Sequence, residues 1–511
     1  SKAEALEGVK AVITYKEVST WSDQMLCVDQ EVAAVAAVDE DTAERALDLI
    51  EVTYDVQVPV IDPDEAMKPS APNTGVFANT NVTPTPSHIE YGDVAKGFTE
   101  ADVVMEEEFG YVARHTHNQI EAFIATAWWL GNDCYIWVTT QNPFGHKAAL
   151  TAGLTASLKL ANPPVGPQPL NKVHVYNHGT GGGFGNKGGS PINLPCALLS
   201  RKAGKAVTLK ATRKMYTVIG VHQYAAKSKF KVGFKNDGTL TAIEMTHWSD
   251  GGKNGGRSAF SDMPKDTWKC ANFKADHWGI ATNKGSSGAW RCVGHPASGV
   301  LSDLLLEKAA VRLKINPLAL RRKIFLTEPL NQQNGQPYFS FGVRECLEKA
   351  AELIGYSAKY HEAGARTLPD GRLHGIGIHA RCDGHGGMSG ARGVIINMCE
   401  DGTVLFNSGG ARNMGGPGGM GAVIAETLGV TYAQCRCGDW GNTDVSAEGG
   451  SQGGSTHTIS QGAAAMVAAQ DVKQQLFAMA ASSATNMLKT TPDALDAKDG
   501  KIFLIADPTK S

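Results

Sequence analysis

Four segments dominated by glycine constrain the fold of this chain more than any other feature. Because glycine has no Cβ, the backbone N–H groups of such segments can point together at an anion, and phosphate is the usual target. A tight turn is the alternative for any one of them, but four in one chain indicate surfaces built from main chain. In chain order, these first to fourth glycine segments are "GTGGGFGNKGG" (residues 179–189), "GSSGAWRCVGHP" (285–296), "SGGARNMGGPGGMG" (408–421) and "SAEGGSQGGSTHT" (446–458).

Composition narrows the class of protein. The chain has 511 residues, which predicts two or three domains, and its formal net charge of -3 gives no field for binding nucleic acid. No apolar run approaches the length that crosses a bilayer. The 10 cysteines form no C-x-x-C pair, which predicts reduced thiols and neither a disulfide framework nor an iron–sulfur site in this chain.

The first residues, "SKAEALEGVKAV", contain no Met and no signal-like segment. We therefore expect a processed, split or incompletely represented chain. The expected location is the cytoplasm, with the periplasm left open.

Local patterns predict an α+β protein. Strand-like runs and one helix, which Asp41 or Thr42 can cap, open the chain, and a Pro-rich stretch that cannot bury a continuous face follows them. Hairpin signals lie at residues 131–133 and 236–238. The predicted parts are a small α/β unit at 1–65, a linker at 66–86, a strand-rich α+β domain at 87–335 and a second α+β domain at 336–511.

Two nucleotide-binding motifs can be tested against the first glycine segment. A dinucleotide-binding unit needs a helix directly after its glycines, but "NKGGSPINLP" contains two glycines and two prolines. A P-loop is excluded because no Gly-Lys-Ser/Thr stands at the required spacing. A nicotinamide dehydrogenase is kept only as a minor alternative.

The segment "GGGFGNK" resembles the signature of the large, molybdenum-binding subunit of the xanthine oxidase family. Three further segments resemble that family in the same order: "RHTHNQIEAFIATAWW", "VTTQNPFGHKAAL" and "GAWRCVGHPASGVLSDLLLEKAAVRLKINPLALRRK". The resemblance implies the C-terminal part of an α/β hammerhead domain at 1–65, then two molybdopterin-binding domains, the second C-terminally incomplete. The branch that contains bacterial aldehyde oxidoreductases is the most similar.

The resemblance also implies an activity and its cofactor. It implies a molybdenum hydroxylase that acts on an aldehyde or an aromatic heterocycle, with molybdopterin in its cytosine dinucleotide form. The dithiolene of the pterin holds the metal in such enzymes, so no metal-ligating cluster of the chain is expected. Iron–sulfur clusters of the [2Fe-2S] type would lie on a partner subunit of a multi-subunit oligomer, and FAD on a further partner is left open.

Site residues follow from the matching positions. Phe184 and Arg291 are expected beside the metal, and His115 stands where purine-oxidising members carry a Gln. A guanidinium suits an anionic cofactor because it stays charged and presents a planar fork of donors. A structural ion pair is the alternative for Arg291, and a satisfied structural histidine for His115 and His117. The expected cofactor contacts are Gly182, Gly183, Phe184, Gly185, Gln141, Ala289, Arg291, Gly415, Gly416, Gly453, Gly454 and Ser455.

The chain also departs from the family pattern elsewhere. Cys292 replaces a glycine, and a cysteine in a similar element of molybdenum–copper carbon monoxide dehydrogenases binds copper, which makes such an enzyme a minor alternative. Residues 414–417, "MGGP", replace the usual M-G-Q-G. The chain contains no late G-x-G-E-P segment, whose Glu acts as the catalytic base. We expect that Glu on another polypeptide or outside the sequence given; the alternative is a degenerate, non-catalytic scaffold.

Overall fold

The computed structural model describes residues 1–112, 114–160, 170–258, 264–328, 330–338, 340–382, 391–413, 415–482 and 488–511. The strands are β1 (Val9–Thr14), β2 (Ala33–Ala37), β3 (Ser87–Tyr91), β4 (Val103–Phe109), β5 (Ile124–Leu130), β6 (Asp133–Val138), β7 (Lys172–Tyr176), β8 (Val207–Lys210), β9 (Ala225–Phe234), β10 (Leu240–Gly252), β11 (Phe273–Ala281), β12 (Ile395–Met398), β13 (Val404–Asn407), β14 (Cys435–Cys437), β15 (Leu495–Lys498) and β16 (Lys501–Leu504).

Helices alternate with these strands, which confirms the predicted α+β class. They are α1 (Glu40–Asp48), α2 (Pro63–Ala66), α3 (Val94–Thr99), α4 (Pro143–Leu160), α5 (Asn193–Ala203), α6 (Arg213–Ile219), α7 (Pro264–Thr267), α8 (His295–Leu313), α9 (Pro317–Ile324), α10 (Val343–Ile354), α11 (Tyr356–Lys359), α12 (Gly416–Leu428) and α13 (His457–Ser482). None of the helices in the described part of the chain is both long and apolar enough to span a membrane.

The N-terminal unit is an antiparallel pair, β1 and β2, followed by α1. The predicted cap of α1 was wrong by two or three residues. Asp39 is the cap, because its carboxylate accepts a hydrogen bond from the Thr42 N–H at 2.8 Å. An Asp in extended conformation before the first turn satisfies an N–H that the helix leaves unpaired, so the helix begins two or three residues earlier than predicted.

The stretch predicted as a linker has hydrogen bonds of its own and is tied to β11. Asn81 organises it, because its side chain accepts from the Thr74 N–H and donates to the carbonyls of Ala66 and Pro72. The Thr83 N–H in turn donates to the Gly279 carbonyl at 2.9 Å, at the end of β11. The division of the chain at residues 65, 86 and 335 stays a prediction.

Two sheets form the middle of the chain. One has the order β3-β11-β10-β9-β4, and the other has the order β7-β6-β5-β8. Both predicted hairpins are confirmed, since β5 pairs with β6 and β9 pairs with β10 in antiparallel register. The first sheet packs against α8, α9 and α10 around Phe230 and Leu305, whereas α4 and α5 cover the second around Ile136 and Leu154.

The last part of the chain is built on β12-β13-β14, with α12 and α13 packed together beside it. Its core centres on Trp440, Met420 and Ile424, all fully buried. β12 and β13 form an antiparallel pair. α8, α12 and α13 therefore come from different parts of the sequence, and each begins directly after or within a glycine segment.

Candidate functional site

A cavity of about 390 Å³ lies where the four glycine segments meet. We call it the central cavity. Its wall includes ten of the residues predicted from the sequence, which come together from positions far apart in the chain. They are Gln141, Phe184, Gly185, Ala289, Arg291, Gly415, Gly416, Gly453, Gly454 and Ser455.

Three predicted residues do not line the central cavity. His115 is exposed, and its ring centroid lies 6.1 Å from that of Trp290, a residue of the wall. Gly182 and Gly183 lie behind the wall, where their missing side chains leave room for neighbours. A Cβ on Gly183 would stand 2.3 Å from Oε1 of Gln141, and one on Gly182 would stand 3.0 Å from the Phe184 ring. These two glycines therefore shape the first segment without facing the cavity.

The Phe184–Gly185 turn has a backbone that few other residues adopt. Phe184 has a φ of 52° and Gly185 a φ of 111°. A Cβ on Gly185 would stand 2.0 Å from the Ala289 carbonyl oxygen, so the first and second segments touch through main chain. A non-glycine residue in this region costs about 1–3 kcal/mol and persists only where its surroundings enforce it. The residues around this turn must therefore enforce its backbone conformation, which places the Phe184 ring at the edge of the cavity.

A partly buried ion pair fixes the position of the first segment. Nζ of Lys187, which is fully buried, lies 2.6 Å from Oε2 of Glu121. The same carboxylate oxygen accepts from the Gly181 N–H at 2.7 Å. Burial lowers the pKa of Lys187, and the Glu121 carboxylate opposes that shift. Glu121 therefore keeps a charged lysine under a loop made mostly of glycine.

A buried histidine supports the second segment. Nε2 of His117 donates to the Ala289 carbonyl at 2.8 Å, and burial lowers the pKa of His117 to about 4. The structure thus agrees with a neutral structural role for this histidine. Nε1 of Trp290 donates to the Thr116 carbonyl at 3.2 Å, which fixes the next residue of the wall.

Two strained residues follow, and both line the cavity. Cys292 has a φ of 65° and Val293 a φ of 41°. Positive φ is unfavourable for a β-branched residue such as Val293, so the surrounding structure must hold this turn. The turn places the start of α8 at the cavity.

Three helices begin at the central cavity. Residues 289–293 precede α8, Gly415 and Gly416 open α12, and residues 456–458 open α13. Neither α8 nor α12 has a side-chain hydrogen bond at its N-terminal cap. Their first N–H groups bond to the main chain, because His295 donates to the Cys292 carbonyl and Gly416 donates to the Asn413 carbonyl, both at 2.9 Å, and the next residue in each helix is a proline without an N–H. Helix N-termini carry partial positive charge and bind phosphate groups. Three of them at one cavity favour an anionic ligand.

The charges of the wall agree with that preference. Among the described residues that line the cavity, Arg291 is the cationic side chain and none is an Asp or Glu. No carboxylate in the described part of the chain lies within ion-pair distance of Arg291, whose side chain is exposed. The ion-pair alternative for Arg291 therefore finds no support among the described residues.

Some wall residues were not predicted from the sequence. They stand beside predicted ones in the glycine segments, and that adjacency is the signal that could have indicated them. Two, Asn413 and His457, have a buried polar atom (Oδ1 and Nε2) with no hydrogen-bond partner among the described residues. The additional residues are Trp290, Cys292, Val293, Asn413, Gly419, Met420, Gln452, Thr456, His457 and Thr458. Met414 of the third segment lies outside the described residues.

The wall fits a phosphorylated pterin by three criteria. The helix N-termini place the positive ends of their dipoles at the wall, and buried polar atoms of Asn413 and His457 have no hydrogen-bond partner among the described residues. A Cβ on Gly415 or Gly419 would meet no atom within 4 Å, so the wall leaves open space there. Fold and wall together indicate an α+β protein that binds an anionic organic cofactor where its four glycine segments meet.

Comparison with known proteins identifies the family. The model of the molybdopterin cofactor-binding domain matches twice, over residues 76–325 and 349–510, and so covers most of the chain. The chain belongs to this family, as found in the molybdenum-binding subunits of the xanthine oxidase family. The resemblance inferred from the glycine segments is confirmed.

Individual relatives agree with that assignment. The chain is 28% identical over 382 residues to the nicotinate dehydrogenase large molybdopterin subunit of Eubacterium barkeri, a match that covers 70% of this chain and 86% of the relative. It is 25% identical to aldehyde oxidase 1 of Oryctolagus cuniculus, over 80% of this chain but 31% of the relative. Quinoline 2-oxidoreductase of Pseudomonas putida 86 shares the fold, with a TM-score of 0.80 at 19% identity over 99% of this chain and 68% of that one.

Proposed function

We propose that this chain is the molybdopterin-binding catalytic subunit of a molybdenum hydroxylase. The observation that carries the proposal is the central cavity, where three helix N-termini and four glycine segments converge beside one arginine and no described carboxylate. A phosphate-bearing cofactor complements such a wall. The cytosine dinucleotide form fits the presence of several separate main-chain surfaces.

The bound group supplies two-electron oxidation with water as the source of oxygen. The residues of the chain hold and orient it. Because Gly185 has no side chain, the main chain of the second segment can approach the first segment closely. The Phe184 side chain covers one side of the cavity and excludes water from it. Arg291 provides a fixed positive charge toward an anionic cofactor or a polarised substrate oxygen. Electrons leave through iron–sulfur clusters on a partner subunit, with a flavin subunit left open.

The substrate is an aldehyde or an aromatic heterocycle. Relatives named for nicotinate and quinoline favour the heterocycle, and one named for aldehyde favours the aldehyde. Turnover of both classes with ¹⁸O-labelled water, followed by mass spectrometry of the product, distinguishes them. Label in a heterocyclic product and none from aldehydes would restrict the substrate to the heterocycle.

The test of cofactor binding uses the chain purified with whatever subunits accompany it. We expect about one molybdenum atom and one pterin per chain, with CMP released on acid hydrolysis, and a loss of pterin in Arg291→Ala that Arg291→Lys partly restores. Metal analysis without molybdenum, together with no fluorescent pterin after oxidation, would overturn the proposal.

The alternative function is a cofactor-binding scaffold without turnover. Hydroxylation needs a base, and no described residue of the cavity wall is a carboxylate. Pterin bound at full occupancy with no dye reduction by either substrate class, in the complete complex, would decide for the scaffold.

A further inference from the structure

Asn177 directly follows β7, stands two residues before the first glycine segment, and is fully buried. It belongs to the first family-matched region, residues 76–325, and it does not line the central cavity. A polar side chain with no exposed surface must find its hydrogen-bond partners within the protein, so those partners indicate its role.

The side chain of Asn177 joins the first glycine segment to the third. Its Oδ1 accepts from the Arg412 N–H, in the third segment, at 2.8 Å. Its Nδ2 donates to the Thr180 hydroxyl, in the first segment, at 2.9 Å and to the Val138 carbonyl, at the end of β6, at 2.8 Å. One amide thus uses its acceptor and both of its donors to hold two glycine segments and a strand together.

Main-chain contacts reinforce this connection directly behind the cavity wall. The Thr180 N–H donates to the Arg412 carbonyl at 3.0 Å, and Thr180 also forms a parallel β-bridge with Asn413. Asn413 lines the cavity. We call the three residues Asn177, Thr180 and Arg412 the Asn177 junction. A shift at this junction would therefore move one side of the wall.

The contact between the two family-matched regions continues along β7, away from the cavity. The Asn177 N–H donates to the Gly441 carbonyl at 3.1 Å. At the other end of the contact, Nδ1 of His174 lies 2.6 Å from Oδ2 of Asp444. Residues 441–444 of the second region thus lie beside β7 of the first. The Asn177 junction is the end of this contact that is nearest to the first glycine segment.

Hydrogen-bond chemistry explains why asparagine stands at position 177. The side chain must accept from an N–H and donate to both a hydroxyl and a carbonyl. An amide can do this, whereas an ionised carboxylate has no donor and an apolar side chain has neither donor nor acceptor. The close contact also requires Gly441, because a Cβ there would stand 2.7 Å from the Asn177 carbonyl oxygen.

We propose that Asn177 is a positioning residue, which fixes the first glycine segment to the third and so determines how firmly the central cavity holds its cofactor. This inference rests on the proposed function, because the cofactor must bind in the cavity. Asn177 acts on the ligand only through Thr180 and Arg412, since it does not itself line the cavity.

The experiment measures the rate at which pterin leaves the purified complex, as fluorescence after oxidation, in Asn177→Leu and Thr180→Val. The loss of several buried hydrogen bonds should raise the release rate about 10-fold or more in Asn177→Leu. Thr180→Val removes one partner of the Asn177 amide at similar side-chain size and should raise the rate about 3-fold. The two effects should be less than additive in the double variant, because both break the same junction.

Asn81→Leu is the matched control. Asn81 is 3% exposed and also connects main chain with its amide, accepting from the Thr74 N–H and donating to the carbonyls of Ala66 and Pro72. It does not line the cavity. Asn81→Leu should lower the unfolding temperature about as much as Asn177→Leu, yet change pterin release by less than about 2-fold. A general loss of stability would instead raise the release rate in both variants.

Hydrogen exchange of the cofactor-free chain tests the junction without the ligand. The Arg412 N–H has Asn177 Oδ1 as its acceptor. Its exchange should become about 10-fold faster or more in Asn177→Leu and should stay at the wild-type rate in Asn81→Leu.

The outcomes separate the two proposals. A wild-type complex without pterin overturns the proposed function and the positioning role with it. If the wild type holds pterin and Asn177→Leu releases it at the wild-type rate, the positioning role alone is overturned. Should Asn177→Leu fail to fold, wild-type release from Thr180→Val overturns it as well. An equal rise in Asn81→Leu, or faster release from Asn177→Leu with unchanged exchange at Arg412, has the same consequence.

Discussion

The first and third glycine segments solve different problems with the same residue. In the first, glycines are required by the protein itself, because a Cβ on Gly183 or Gly185 would collide with Gln141 or with the Ala289 carbonyl. In the third, a Cβ on Gly415 or Gly419 would meet nothing within 4 Å. Close packing thus explains Gly183 and Gly185 in the first segment, whereas Gly415 and Gly419 in the third leave space at the cavity. A glycine count cannot tell these two uses apart.

Among the variants that test this difference, Gly185→Ala should have the largest effect on stability. The new Cβ would overlap the Ala289 carbonyl, and alanine is strained at a φ of 111°. We expect a loss of about 3–5 kcal/mol in the free energy of unfolding, measured by denaturant titration. Gly188→Ala, in the same segment but with nothing within 4 Å of its Cβ, should change stability by less than about 1 kcal/mol. Equal losses in the two variants would contradict packing as the reason for Gly185.

Acid should weaken the first segment through His146. Its Nε2 donates to the Gly188 carbonyl and its Nδ1 accepts from Asn193, so the ring is neutral, and burial lowers its pKa to about 4. The unfolded chain binds this proton near pH 6.5, so the stabilisation is present above pH 6.5 and is lost as the pH falls toward 4, by about 3 kcal/mol.

The measurement is the difference in free energy of unfolding between wild type and His146→Gln from pH 7 to 4. Other buried histidines, such as His247, titrate in the same direction and cancel in this difference. The gap between the two proteins should narrow as the pH falls. Parallel curves would exclude His146 as the source of the acid sensitivity.

The two residues of the ion pair beneath the first segment, Lys187 and Glu121, should contribute unequally to the free energy of unfolding. Lys187 is fully buried, whereas the Glu121 side chain is 35% exposed. Glu121→Gln leaves a buried ammonium without its carboxylate and should cost about 2 kcal/mol of unfolding free energy. Lys187→Met leaves a carboxylate that water can reach and should cost about 1 kcal/mol. If Lys187→Met costs more than Glu121→Gln, packing of the lysine stem outweighs the charge.

The features that could be predicted from the sequence are those that depend on residues close together in the chain. The turns at 131–133 and 236–238 specify hairpins within a few residues, and both formed. The glycine segments indicated the cavity because their composition is visible without partners. The hydrogen bond from the Gln141 side chain to the fourth segment was not predictable, since its acceptor lies 311 residues away. The cap of α1 was missed because Asp39, Asp41 and Thr42 all suit a cap and only the backbone conformation selects one.

The smallest effect on stability, and the sharpest contrast with Gly185, is expected for Gly419→Ala. Gly419 lies in the first turns of α12 and faces the cavity with no atom within 4 Å of its Cβ. Alanine favours a helix over glycine by up to about 1 kcal/mol, so the cofactor-free chain should unfold at a slightly higher denaturant concentration. If the space serves the cofactor, the same methyl group should lower pterin content.

Gly462→Ala is the control for that variant. It places alanine in α13, at a position that does not line the cavity, where the nearest atom to the new Cβ is Cε of Met420 at 3.9 Å. It should stabilise the chain as Gly419→Ala does, yet leave pterin content unchanged. Opposite signs for stability and pterin content at Gly419, and not at Gly462, would show that position 419 of the third segment keeps its glycine for the ligand. Unchanged pterin content in Gly419→Ala would mean that the cofactor does not reach this side of the wall.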